Sequence, residues 1–155
     1  MKVESYLIEA HIFRKVENEL EFLLMKRAAD EKYPGVWQMV TGAVEENEKG
    51  YQTAIREIKE ETNLTPVKFW VVPRMNSFYS PERNSVCMLP VFAALVEDGE
   101  VILSEEHTEY KWVKKDEAQK LLAWPGQRKS VQIIEDYFTN KQSFLKFVEI
   151  EINIK

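Results

Sequence analysis

The sequence predicts a layered domain of mixed strands and helices, α/β or α+β. Three observations lead there. Short apolar runs of strand length recur at residues 3–13, 20–25, 37–40, 67–72, 86–96 and 110–113. Helical periodicity is confined to Gly50–Thr62, 116–122 and 129–138. No internal repeat, low-complexity linker or composition break divides the 155 residues, so one domain over 1–155 is expected. A chain of this size buries roughly 68–70% of its unfolded surface, enough for a core without disulfides or metal staples.

In order along the chain, residues 3–13 are β-rich and 20–25 form a second strand, with Glu17-Asn18-Glu19 as the hairpin between them. Lys26-Arg27 end that strand, as solubilising charges or as a contact for phosphate. Residues 28–35 are a loop turning at Pro34-Gly35. Residues 37–40 make a short strand leading into Gly42, and its Trp37 is either a core residue or a platform for stacking a base. In Gly50–Thr62 the apolar Tyr51, Ala54, Ile55 and Ile58 recur at helical spacing. Pro66 closes the following turn. Residues 67–72 are a strand, and 73–84 read as a polar loop carrying Phe78, Tyr79 and Arg83, of a length that often holds specificity. Residues 86–96 are the best candidate for a central strand, with Pro90 marking a bulge or an interrupted ladder. Asp98-Gly99-Glu100 is a turn, and the acidic stretch 104–109 precedes the strand 110–113. Residues 116–122 align Ala118, Leu121 and Leu122, and 129–138 align Val131, Ile134 and Phe138, with Trp124-Pro125-Gly126 breaking the two helices apart. The tail alternates Val148, Ile150, Ile152 and Ile154 with polar residues. A half-buried strand at 145–154 would join a sheet edge or pair with a second copy, so monomer and homodimer are both open.

Composition excludes several classes. The net charge is −5 and no Lys/Arg block is present, which argues against a nucleic acid polymer as partner. No apolar run approaches 18 residues and the N-terminus lacks an apolar core, so neither a membrane span nor a signal peptide is expected. The lone cysteine, Cys87, excludes an intrachain disulfide, fits a reducing compartment such as the cytoplasm, and lies in an apolar run as an inert buried thiol would.

The helix Gly50–Thr62 breaks a local rule. Glu57, Glu60 and Glu61 fall at i, i+3 and i+4 on one face. Like charges so spaced repel by about 0.2–0.5 kcal/mol per pair. Glu60 and Glu61 also lie toward the negative end of the helix dipole. A solvated acidic face is the plain reading. A bound hard cation is the other, because Mg²⁺ takes carboxylate oxygens and keeps positions for water and phosphate.

The wider spacing bears on that choice. Gly42, five residues, Glu48, seven residues, then Arg56-Glu57-Ile58-Lys59-Glu60-Glu61-Thr62-Asn63-Leu64 closely resembles the Nudix box, G-x5-E-x7-R-E-U-x-E-E-x-G-U, U being a bulky aliphatic. Asn63 is the one departure, and asparagine tolerates the left-handed conformation that glycine there would adopt. The resemblance implies an α+β fold, an α/β/α sandwich with a mixed sheet between helices and the box as loop–helix–loop. It implies Mg²⁺ as cofactor, with Mn²⁺ as a substitute. Glu57 and Glu61 would be metal ligands, Glu60 a third ligand or a supporting carboxylate, Glu48 an approach from the loop, and Gly42 a backbone-carbonyl ligand. Arg56 would orient the loop glutamates by bidentate pairing.

Nudix proteins often recruit an acid from outside the box, and Glu105, Glu106 and Glu109 qualify, with Glu106 favoured. Residues 37–46, Glu106-His107 with Tyr110-Lys111-Trp112, and Trp124 with Gln127-Arg128 further resemble one subgroup, the bacterial dihydroneopterin triphosphate pyrophosphohydrolases that also act on dATP. His107 is then a general acid/base, a phosphate contact or a structural hydrogen-bonder. The implied catalytic set is Glu57, Glu60, Glu106 and Arg56, and the implied substrate contacts are Arg27, Trp37 and His107. The implied reaction is hydrolysis of a diphosphate linkage in a nucleoside triphosphate or dihydroneopterin triphosphate, giving pyrophosphate and a monophosphate. The alternatives are a dinucleoside polyphosphate or nucleotide-sugar hydrolase, and a non-catalytic nucleotide-binding module.

Overall fold

Alternation of side chains along the strands sorts the core into two layers. A computed structural model describes residues 1–140 and 144–152. Its elements are β1 (Lys2–Glu4), β2 (Leu7–Val16), β3 (Glu19–Arg27), β4 (Trp37–Gln38), β5 (Val40–Ala43), α1 (Gly50–Thr62), β6 (Lys68–Ser80), β7 (Ser85–Leu95), β8 (His107–Val113), α2 (Lys115–Leu121), α3 (Pro125–Thr139) and β9 (Val148–Ile150). Ile8, Ala10 and Ile12 of β2 point to one face with Leu23, Met25, Phe92 and Ala94, where Ala54 and Ile58 of α1 cover them. Phe13, Phe22, Leu24, Val91, Ala93 and Leu95 point to the other, under Ala118 of α2 and Val131 and Ile134 of α3. This is the expected α/β/α sandwich, held by the period-two alternation of strands buried on both faces.

The sheet is mixed. Its order is β4-β3-β2-β7-β6-β9, with β1 on β7, β5 on β2 and β8 on β3. β2 and β1 both run parallel to β7, and the remaining pairs are antiparallel. The predicted strand 3–13 is therefore two strands on successive stretches of β7, broken at Ser5-Tyr6. Residues 37–40 also split: Trp37-Gln38 pair with β3, whereas Val40–Ala43 pair with β2. That change of partner carries the chain across the sheet to deliver Gly42 beneath α1.

The segment 73–84, expected as a loop, is mostly strand. β6 runs on to Ser80 against β7, with a register shift between Val71 and Met75. Extra residues lie on the β6 side of that irregularity, so Pro73, which has no N–H to donate, falls in the bulge. Pro90 keeps its register opposite Met75. α3 begins at Pro125, four residues before the expected start, because proline is well suited to the first helical position, where no N–H is needed. Gly126 is pressed on the Asn76 side chain, and a Cβ there would come within 2.1 Å of Asn76 Oδ1. β9 pairs with β6 at the sheet edge, while Asn153 and Ile154 of the expected tail strand lie outside the described residues.

α1 is bounded as its sequence suggests. Gln52 Oε1 accepts the Lys49 N–H at 2.9 Å, meeting one orphan donor of the first turn. At the other end Asn63 adopts φ 67° and its N–H donates to the Lys59 carbonyl at 2.9 Å. Asn63→Ala should cost about 1–2 kcal/mol, the penalty for an ordinary L-residue in the left-handed region, while Asn63→Gly should be near neutral. Chemical denaturation of the two variants measures both.

Candidate metal and active site

Gly42 and α1 meet side chain to backbone. A Cβ on Gly42 would lie 2.4 Å from Glu57 Cγ, so only glycine admits the Glu57 side chain against the end of β5. One residue earlier on the helix, Arg56 spreads its guanidinium over the neighbouring carboxylates. It grips Glu48 bidentately, Nε to Oε2 at 2.8 Å and Nη2 to Oε1 at 3.0 Å. Nη1 reaches Glu57 Oε1 at 2.6 Å and Glu60 Oε2 at 3.3 Å, and Nη2 also donates to the Ala43 carbonyl at 3.1 Å. Thr53 Oγ1 adds a 2.5 Å hydrogen bond to Glu48. Arg56 first, then Thr53, hold the Glu48 carboxyl down at about 2. Both Glu48 oxygens are engaged in this way, so its link to the acidic face runs through Arg56. Burial pushes the Glu57 carboxyl above its ordinary range, against the opposing pull of Arg56.

Glu61 is the extreme case. It is 2% exposed. Burial, then the adjacent Glu106 carboxyl, pushes it up to about 10. Its Oε2 is buried and has no partner among the described residues. Carboxylate oxygens of Glu61 and Glu106 and a ring nitrogen of His107 lie within 4.8 Å of one another.

The loop and β8 bring the last two there. The Glu106 carbonyl accepts the Ala28 N–H at 2.9 Å. The β3–β8 register jumps from Lys26↔Glu109 to Arg27↔His107, and the skipped Thr108 turns His107 inward. His107 is 5% exposed, and burial holds its imidazole below the ordinary histidine range. Its Nε2 meets Gln38 Nε2 at 2.9 Å, and Arg27 Nη1 donates to Gln38 Oε1 at 3.2 Å.

The structure thus gathers Gly42, Glu57, Glu60 and Glu61 with Glu106 and His107, and keeps Glu48 attached through Arg56. Glu60 is the most open of the α1 carboxylates at 58%. Arg27 is tied to its own loop, donating Nε to the Lys32 carbonyl and lying 3.6 Å from Glu31. Trp37 is half-buried against the α2/α3 core layer, with Lys111 Nζ 5.2 Å over its ring. A Cβ on Gly50 would meet Ile8, Phe92 and Pro90 at 3.7–3.9 Å, ordinary packing at the start of α1. Sequence reasoning passed over Gln38, a buried amide in a short apolar strand. Its only signal was a polar side chain where the pairing demands a core one. It also passed over Glu9, whose carboxylate accepts from His11 Nε2 at 2.7 Å and Asn76 Nδ2 at 2.8 Å on the opposite sheet face.

The donor set fits a hard divalent cation. The cluster is rich in oxygen ligands, and the orphaned Oε2 of a buried carboxylate is a demand that a cation would meet.

The sequence model of the NUDIX domain matches residues 8–133. The chain belongs to the Nudix family. It is 31% identical over 112 residues to the asymmetrical bis(5'-nucleosyl)-tetraphosphatase of Caenorhabditis elegans, covering 71% of this chain and 79% of that one. It is 30% identical over 111 residues to nucleoside triphosphatase NudI of Klebsiella pneumoniae, covering 66% and 79%. Among solved structures, a Nudix hydrolase of Listeria monocytogenes superposes with TM-score 0.75 at 27% identity over 88% of this chain and 96% of that one. The dihydroneopterin triphosphate pyrophosphohydrolase of E. coli shares the fold, with TM-score 0.68 at 23% identity over 86% and 99%. The chain is a Nudix hydrolase, an enzyme acting on phosphoric anhydrides. Among the described residues no helix is long and apolar enough to cross a membrane.

Two outcomes follow from this geometry. Gly42→Ala should cost about 1–3 kcal/mol through overpacking on Glu57 and should impair divalent-cation binding, read by denaturation and calorimetry. For Glu61, the folded pKa of about 10 stands above the ordinary 4.5. The metal-free fold then holds a proton that the unfolded chain releases, so the Glu61 contribution to stability is fully present below 4.5 and is lost as pH rises toward 10. Thermal melts in chelator should show Tm falling between these limits, and Glu61→Gln should flatten the slope.

Proposed function

We propose that this enzyme uses Mg²⁺ to hydrolyse a diphosphate linkage in a nucleoside triphosphate or dihydroneopterin triphosphate, releasing pyrophosphate and a monophosphate. One observation carries the reading. A buried glutamate, Glu61, is crowded by a second carboxyl and retains an unpartnered oxygen, an arrangement that disfavours its charged form unless a cation is bound. Mg²⁺ held by Glu57, Glu60 and Glu61 with the Gly42 carbonyl would neutralise the phosphate oxygens and the leaving charge; Mn²⁺ would substitute.

The chain's own residues divide the remaining work. Arg56 locks Glu48, Glu57 and Glu60 into one array, so the ligand oxygens are placed before substrate arrives. Glu106 stands beside Glu61 at the end of the acidic face, and its carboxylate takes the proton from the attacking water. The water oxygen bonds to phosphorus as the bridging P–O bond breaks. The electron pair of that bond leaves with the pyrophosphate. His107, beside the acidic face, would contact phosphate, and Trp37, half-buried on the α2/α3 side of the sheet, would contact the ring system. A phosphorylated small molecule is therefore the partner, and the cytoplasm, where nucleotides and Mg²⁺ are abundant, is the compartment.

A second reading is hydrolysis of a dinucleoside tetraphosphate, favoured by the 31% identity to the nematode tetraphosphatase. The two separate by product. With dihydroneopterin triphosphate, dNTPs, a dinucleoside tetraphosphate and ADP-ribose assayed together, release of pyrophosphate supports the first, and two nucleoside-bearing products support the second. Glu57→Gln and Glu61→Gln should abolish Mg²⁺-dependent turnover while circular dichroism stays unchanged. Glu106→Gln should lower kcat by about 10²–10⁴-fold, the usual contribution of a general base, and Glu105→Gln should leave it alone. Undiminished turnover in both α1 variants would sink the metal assignment.

A further inference from the structure

The hydrogen-bond polarity of three residues determines where His107 carries its proton. Arg27 Nη1 lies 3.2 Å from Gln38 Oε1. A guanidinium has donors and no acceptor, so the amide oxygen of Gln38 must face it. The amide nitrogen of Gln38 then faces His107 Nε2 at 2.9 Å. Two donors cannot face each other, so Nε2 presents its lone pair. The imidazole is neutral and its proton is on Nδ1. That Nδ1 is buried and has no partner among the described residues. Arg27 cannot easily swing to reverse the order. Its Nε is spent on the Lys32 carbonyl, and its backbone bonds Val36 at 2.9 Å and Gly35 at 3.0 Å.

From this juxtaposition we infer that Arg27 and Gln38 form a positioning relay that holds His107 as a neutral Nδ1–H donor, built to meet an anionic oxygen of the substrate's phosphate chain. The inference rests on the phosphate-substrate reading above. It gives Arg27 an indirect role in place of a direct phosphate contact. It also separates His107 from its two acidic neighbours: a nitrogen that bears a proton is no metal ligand, so the cation is left with oxygen donors. A neutral donor suits such a site, because an imidazolium would compete with the cation for the same carboxylates.

Nitrogen NMR of the full chain labelled at its 2 histidines tests the relay without any variant of the relay residues, the His107 signals being assigned by their loss in His107→Gln. The expected result is a proton on Nδ1 and a bare Nε2. A proton on Nε2, or on both nitrogens at neutral pH, overturns the inference. Adding inorganic pyrophosphate with Mg²⁺ should move the Nδ1–H proton downfield; an unmoved signal with pyrophosphate bound overturns the phosphate contact. Gln38→Glu is nearly isosteric and accepts from both neighbours, so it should move the His107 proton to Nε2. KM should rise by about 10- to 100-fold, the worth of a hydrogen bond to a charged group, with a much smaller change in kcat. Gln38→Met, which ends the relay without adding charge, should raise KM as well. An unchanged KM in both folded variants overturns the relay. If no compound in the panel is hydrolysed, the functional reading fails, and the tautomer is still decided by the wild-type spectrum.

Discussion

Carboxylates crowded into a partly dehydrated space repel one another, and the site is built around that repulsion. Glu60 and Glu106 raise the energy of the charged form of Glu57, and Glu106 and Glu57 raise that of Glu61. Water would normally screen them, but Glu61 is buried, so its charge is opposed by burial before any neighbour is considered. Arg56 relieves one side only. It pairs with Glu48, Glu57 and Glu60, and among the described residues no ion pair joins it to Glu61. The fold therefore compensates the acidic face near the loop and leaves it uncompensated near β8. The proposed cation would meet the least compensated charge at the Glu61 end, next to Glu106.

Holding such an arrangement requires rigid surroundings. α1 is fastened by Ala54 and Ile58 to a sheet layer of buried aliphatic and aromatic side chains. Gly42 lets Glu57 approach the backbone of β5 at a distance no other residue would permit. The β3–β8 register shift and the Ala28–Glu106 backbone bond place the outer acid from a different part of the chain. Packing therefore supplies what the local electrostatics oppose, as expected where function is bought at some expense of stability.

Much of this was legible in the sequence. The helix Gly50–Thr62 followed from its apolar spacing, and its left-handed end at Asn63 from the conformational tolerance of asparagine. The patterning alone pointed to a layered domain of mixed strands and helices, and the two-sided sandwich was implied by the resemblance of the box. The segment 73–84 was misread because exposed Met75, Phe78 and Tyr79 mingle there with proline and polar residues, which removes the alternation that marks a strand. Only pairing with β7 makes it one. The early start of α3 was missed because proline and glycine break most helices, whereas at a first turn they are tolerated.

The sequence by itself determined the acidic face, the family to which its spacing belongs, and hence the bond such an enzyme attacks. Helical spacing is local, and i, i+3, i+4 neighbours are neighbours whatever the rest of the chain does. The tertiary structure alone decided which of those carboxylates is buried, and that Arg27, Gln38 and His107 stand in line. Burial and hydrogen-bond polarity depend on residues far apart in the chain, such as Gln38 and His107, brought together by strands pairing on either edge of β3.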